Sequence, residues 1–114
     1  IIEMWTRRCE MYLASPVMMS VRHTHPALAA LEAHQSPMIA DYNRDGAERF
    51  MKSLDRPLGE HEFIAADRFT IADIVSVVGL DFGKLIKYRP PETFENLHRW
   101  YRACLDRPGA RAGL

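Results

Sequence analysis

Apolar residues recur three and four apart through most of this chain, and nowhere do they alternate singly with polar ones. That period predicts helices throughout and no strand. Four helices can be read. The first runs from Ile1 to about Val21, its stripe built from Ile1, Met4, Trp5, Met11, Tyr12 and Val17. Pro16 lies inside it, removes one backbone bond and predicts a kink. Arg22 to Gln35 contains Pro26, His23, His25 and His34, and reads as a connection with one short turn over Ala27 to Leu31. The second helix has Ser36 as its cap and Pro37 at its first position, both favoured there. It carries Ile39, Tyr42, Ala47, Phe50, Met51 and Leu54, and Pro57 bends or ends it. Gly46 inside it costs about 1 kcal/mol relative to Ala, which points to close helix packing. The third helix runs from Ile71 to about Ile86 and is apolar almost all round between Ile74 and Leu80, so it is expected at the centre. Pro90-Pro91 stop it. The fourth spans Glu92 to about Asp106, places Phe94, Leu97, Trp100, Tyr101, Cys104 and Leu105 at helical spacing, and ends at Pro108-Gly109. The expected fold is all-α: a bundle of four main helices around a buried central helix, with short connections.

The start of the third helix carries the most specific local signal. Thr70 and Asp73 have the spacing of a capping box, in which the hydroxyl accepts from the third helical N–H and the carboxylate reaches back to the Thr70 amide. Phe69 before the cap and Ile74 after it are placed to form a hydrophobic staple. A carboxylate also suits the positive end of the helix dipole.

That segment with its surroundings, Phe63-Ile64-Ala65-Ala66-Asp67-Arg68-Phe69-Thr70, resembles the stretch that opens the central helix in the C-terminal all-helical domain of glutathione transferases. Leu97-His98-Arg99-Trp100-Tyr101 and Arg107-Pro108 look like that family's last long helix and its end. Ile2-Glu3-Met4-Trp5 and Arg22-His23-Thr24-His25-Pro26 look like the first helix of its bacterial members. One departure is Ala66, where the family usually has Gly. The resemblance implies that residues 1–114 form a single helical domain, the C-terminal half of a two-domain protein whose thioredoxin-like N-terminal domain is absent from this sequence. It further implies a homodimer that conjugates glutathione, as co-substrate, to small hydrophobic electrophiles. The group that ionises the glutathione thiol would sit in the other half, since a thiol of pKa about 8.5 must lose its proton to attack. A non-catalytic interaction module with the same helical domain is the alternative.

Composition narrows the classes without changing the picture. With 114 residues, 47% hydrophobic and 26% charged, the chain has the make-up of one globular domain. Fifteen basic and fifteen acidic residues cancel, giving no reason to expect nucleic acid or an anionic membrane as partner. No apolar run approaches the roughly 20 residues of a membrane span, and Glu3, Arg7, Arg8 and Glu10 interrupt any secretory signal at the start. Cys9 and Cys104 are too few and too far apart for a disulfide framework, so two free thiols in a reducing cytoplasm are expected. The helical pattern is already under way at Ile1 without a cap, which implies upstream residues.

Catalytic chemistry is sparse. Ser15 and Ser76 lack a nucleophile elbow, and no catalytic residue is assigned. His23, His25 and His34 lack a third or fourth ligand at a recognised spacing, so no metal is expected and they read as solvated loop histidines, one of them capping a helix end. Met4, Arg8 and Tyr12 recur every four residues and share one helix face with Trp5 and Cys9 beside it. Core packing with a snorkelling Arg explains such a stripe. By the resemblance, the same helix lines the electrophile site and contributes to the dimer interface, which makes Met4, Arg8 and Tyr12 the candidate substrate-binding residues. The mixed charges of Asp41, Arg44, Asp45, Glu48, Arg49, Lys52, Asp55 and Arg56 read as a solvated face or the polar rim of a dimer contact.

Overall fold

Pro16 sets the shape of the first rod. A computed structural model describes residues 1–107 and begins with α1 (Ile2–Cys9), a π-turn over Glu10–Ala14, and α2 (Ser15–Arg22) in one continuous helical path. The N–H of Ser15 donates to the carbonyl of Glu10, five residues back. Pro16 has no N–H to give and its ring crowds the carbonyl before it, so the chain takes up the misfit as one wide turn. The expected kink is thus a π-turn on the N-terminal side of the proline.

The other rods follow: α3 (Pro37–Asp55), α4 (Ile71–Gly83) and α5 (Glu95–Leu105). Short 3-10 turns occupy Pro26–Leu28, Pro57–Gly59 and Lys84–Ile86. The described residues are all helical apart from turns and connections, and the rods form the expected bundle. Ser36 accepts from the Ile39 amide at 3.3 Å and caps α3, with Pro37 in the first turn. The last helix starts later than Glu92, at Glu95, and Phe94 at its N-cap brings no capping side chain. Asp55, at the end of α3, supplies the cap instead by accepting from the Leu97 amide at 2.9 Å. One helix closes the open end of another, a contact between residues 42 positions apart that no local pattern reveals. The Pro108-Gly109 stop lies outside the described residues.

The core gathers Leu13, Val17, Met51, Leu54, Leu80, Leu97 and Trp100 from all four rods. α4 crosses both α1 and α2 and touches α5. Its crossing of the first rod is tight because a Cβ on Gly79 would lie 2.7 Å from both Cα and Cβ of Ala14. The close packing expected at Gly46 therefore occurs at Gly79. A Cβ on Gly46 would meet nothing nearer than the Arg49 guanidinium at 3.6 Å.

α4 is central but is not enclosed all round. Ala72, Asp73, Ser76, Gly79 and Leu80 are buried, while Ile74, Val78 and Phe82 on the opposite stripe are 48%, 49% and 39% exposed. The unbroken apolar run Ile74–Leu80 fits a rod with two apolar faces, of which this chain covers one.

The histidine connection also differs from expectation. His23 is buried, not solvated, and its Nδ1 accepts the Ser36 amide at 3.1 Å. His25 Nδ1 accepts from Ala27 at 3.2 Å to open the 3-10 turn, which sits at Pro26–Leu28.

Candidate functional site

The start of α4 is a polar knot inside the core. Asp73 is fully buried. Its carboxylate accepts the Thr70 amide at 2.8 Å, the Ile64 amide at 3.0 Å and the indole N–H of Trp100 at 2.8 Å. The Thr70 hydroxyl also turns to it at 3.4 Å, and the reciprocal capping box is complete. Three N–H donors and the positive end of α4 compensate the buried charge. Trp100 was legible in the sequence as core only. The missing signal is that a buried indole needs an acceptor, and Asp73 is the acceptor the fold supplies. Phe69 packs edge to face on Phe63, ring centroids 5.8 Å apart, with the Arg107 guanidinium 3.5 Å over its ring. Ile74 stays half in water, so a staple with Phe69 shields only part of it.

Neither thiol is poised for chemistry. Cys9 and Cys104 are free and buried. Burial pushes the Cys9 thiol up to about 11, partly opposed by the Ser76 hydroxyl beside it. Burial and the Asp73 charge push Cys104 up to about 12. Both stay protonated at neutral pH, the opposite of an activated nucleophile. Among the described residues no cluster of three His, Cys, Asp or Glu side chains is arranged to hold a metal ion.

Two of the open hollows along the first rod bear on the expected site residues and on α4. One, of about 620 Å³, lies between that rod and α3 and is lined by Arg8, Tyr12, Pro16, Tyr42, Gly46 and Phe50 among others. Tyr12 and Phe50 pack with ring centroids 5.7 Å apart, and the Arg8 guanidinium lies 5.3 Å from the Trp5 ring centroid. The absent side chain at Gly46 leaves part of this space open. The structure thus brings Arg8 and Tyr12 together and leaves Met4, one turn earlier and 42% exposed, outside the lining. The second hollow, of about 590 Å³, is a seam between the first rod and α4. Met11, Ala14, Met18, Ile74, Val78 and Phe82 line it together with Glu10 and Ser15, and most of its surface is apolar. Sequence periodicity missed the seam because its two walls come from helices some 60 positions apart, each of which reads as ordinary core.

Residues 12–108 match the family description "Glutathione S-transferase, C-terminal domain". The chain belongs to that family. Glutathione S-transferase 2 of Saccharomyces cerevisiae is 33% identical over 112 residues, covering 97% of this chain and 48% of the relative. The crystal structure of Gtt2 from Saccharomyces cerevisiae superposes with a TM-score of 0.88 at 33% identity, over 98% of this chain and 54% of that one. Elongation factor 1-gamma of Sus scrofa is 28% identical over 83 residues, 71% of this chain and 19% of the relative. The chain therefore spans about half the length of the transferase it matches, or less for the elongation factor. No described helix is long and apolar enough to cross a membrane.

Proposed function

We propose that this chain is the C-terminal half of a glutathione transferase that conjugates glutathione to small hydrophobic electrophiles. In this reading the thioredoxin-like half holds glutathione and ionises its thiol, which fits the absence of an activated nucleophile among the described residues. The apolar seam between the first rod and α4 receives that half, because an exposed apolar strip of this extent calls for a cover. The carrying observation is the convergence of Arg8 and Tyr12 in one aromatic hollow. Tyr12, Tyr42 and Phe50 offer ring faces to an apolar substrate, and the Arg8 guanidinium is available to a carbonyl, nitro or developing anionic group. Met38 and Tyr42, exposed on α3, suit a contact with a second copy in a homodimer, since such surfaces are rich in Met, Tyr and Arg. Two buried free thiols suit a reducing compartment such as the cytoplasm.

The test is steady-state kinetics of the full-length protein with glutathione and chlorodinitrobenzene. Tyr12→Ala and Arg8→Ala should raise KM for the electrophile several-fold and leave KM for glutathione near its original value. A rise confined to glutathione, or to Met11→Ala in the seam, would move the electrophile pocket elsewhere. The similarity to elongation factor 1-gamma favours a second reading, a partner-binding module without catalysis. That reading predicts full-length protein that neither binds immobilised glutathione nor turns over the electrophile.

A further inference from the structure

Two residues of the connection between α2 and α3 stand immediately before a proline: His25 before Pro26 and Ser36 before Pro37. A following proline pushes a residue out of helical geometry, and His25 and Ser36 have ψ of 124° and 114°. Amides at such breaks lie outside the helical ladder and need acceptors from elsewhere. Two histidine rings supply them. His23 Nδ1 accepts the Ser36 amide at 3.1 Å, 13 positions along the chain, and His25 Nδ1 accepts the Ala27 amide at 3.2 Å.

A ring nitrogen accepts an N–H only while it carries no proton of its own. The closed arrangement therefore requires both rings neutral, each with its proton on Nε2. A proton added at Nδ1 sets N–H against N–H, and the amide loses its acceptor.

The surroundings of His23 do not depend on its charge. Glu32, on the connection, stands 3.8 Å from Nε2, but Arg22 at the end of α2 already holds that carboxylate at 2.7 Å. From α3 the ring meets the uncharged Ser36 amide. Beside His25, the Gln35 side chain donates to the carbonyls of His25 at 2.8 Å and Arg22 at 3.1 Å, drawing the two ends of the connection together. His34, the third histidine of the connection, is exposed.

We propose that His23 and His25 form a proton-operated latch on the connection between α2 and α3. With both rings neutral the connection is closed onto the start of α3. Protonation at Nδ1 releases the Ser36 and Ala27 amides and opens it. The open form binds more protons than the closed one, so closure is favoured at high pH and weakens as pH falls through the range in which histidines charge, about pH 8 to 5. Ser36 is also the cap of α3, accepting from Ile39, so opening frees the first turn of that helix with its exposed Met38. The Ser20 hydroxyl donates to the Ala40 carbonyl at 2.7 Å and ties α3 to α2 beyond that point. The movement is thus confined to the residues before Ala40.

The test is an NMR titration of the full-length protein from about pH 8 to about pH 5, following the ring nitrogens of His23 and His25 and the amide exchange of Ser36, corrected for its intrinsic pH dependence. At the upper end both rings should carry their proton on Nε2. As His23 titrates, protection of the Ser36 amide should fall about tenfold, the size expected of one lost hydrogen bond, on the same midpoint as the ring. Protection at Leu80 in α4 should hold throughout. His23→Asn offers an amide oxygen near the position of Nδ1 and cannot titrate, so it should keep Ser36 protected at both ends of the range. A proton on Nδ1 at the upper end, constant Ser36 protection as His23 titrates, or the same loss in His23→Asn would each overturn the latch. So would a loss at Leu80 on the same midpoint, which would make the event global unfolding. If His23→Asn does not fold, the ring signals and the Ser36 amide of the unaltered protein decide the matter by themselves.

Discussion

Asp73 does two jobs with one carboxylate. It caps α4 through Thr70 and it satisfies the buried indole of Trp100 on α5. The capping half was legible, since Thr and Asp three apart before an apolar run is a local pattern. The Trp100 half was not, because the 27 intervening positions carry no periodicity that links them. Removing the carboxylate leaves three donors without an acceptor, so Asp73→Ala should lower stability by roughly 3 kcal/mol or more in a denaturant melt. Trp100→Phe, which deletes one charge-assisted bond and part of a fully buried ring, should cost about 2 kcal/mol or more. Equal costs for the two variants would mean that the indole bond dominates the knot. The buried thiols give a second residue-scale expectation. Cys9, raised from 9.0 to about 11, holds its proton in the folded state where the unfolded chain has lost it. Its contribution to stability is therefore intact below pH 9 and fades as pH climbs toward 11. Iodoacetamide at pH 8 should label neither cysteine in the native protein and both after unfolding. Native labelling of Cys9 would contradict its burial.

Helix contacts that define this bundle are of the kind a single sequence shows poorly. Ser36-Pro37 announced α3 because cap and first-turn proline are local chemistry. Pro16 announced a disturbance, yet whether the chain answers with a bend or a π-turn depends on what packs against it. Here α4 presses Gly79 onto Ala14 within that wide turn. Gly79→Ala gains about 1 kcal/mol of helix propensity but drives a methyl into backbone. The net result should be a loss of roughly 2 kcal/mol. Ala14→Gly in the same chain should recover part of it, and strict additivity of the two changes in thermal melts would argue against their contact. Gly46 misled for the opposite reason. A glycine in a helix signals either close packing or open space, and only the neighbouring rod decides between them. The cap of α5 is likewise remote. Asp55→Ala should cost about 1 kcal/mol and raise amide exchange in the first turn of α5, with α3 itself little affected.

The all-helical class and the family were both carried by the order of motifs along the chain, and the comparisons support them over residues 12–108. The exposed strip on α4 was not legible. An apolar-all-round segment reads as fully enclosed, whereas Ile74, Val78 and Phe82 leave one face of α4 partly exposed. The distinction matters for the proposed function, in which the seam against Met11 and Met18 receives the glutathione-holding half. Val78→Asp tests that docking most directly, since Val78 is half exposed and a charge there meets water in this chain alone. Thermal unfolding of the chain by itself should change by no more than about 0.5 kcal/mol. Under the proposed docking, the same aspartate in the full-length protein is trapped against the second half. Glutathione conjugation should fall roughly tenfold or more, and amide exchange along the exposed face of α4 should rise. Full activity and unaltered exchange in full-length Val78→Asp would contradict the account.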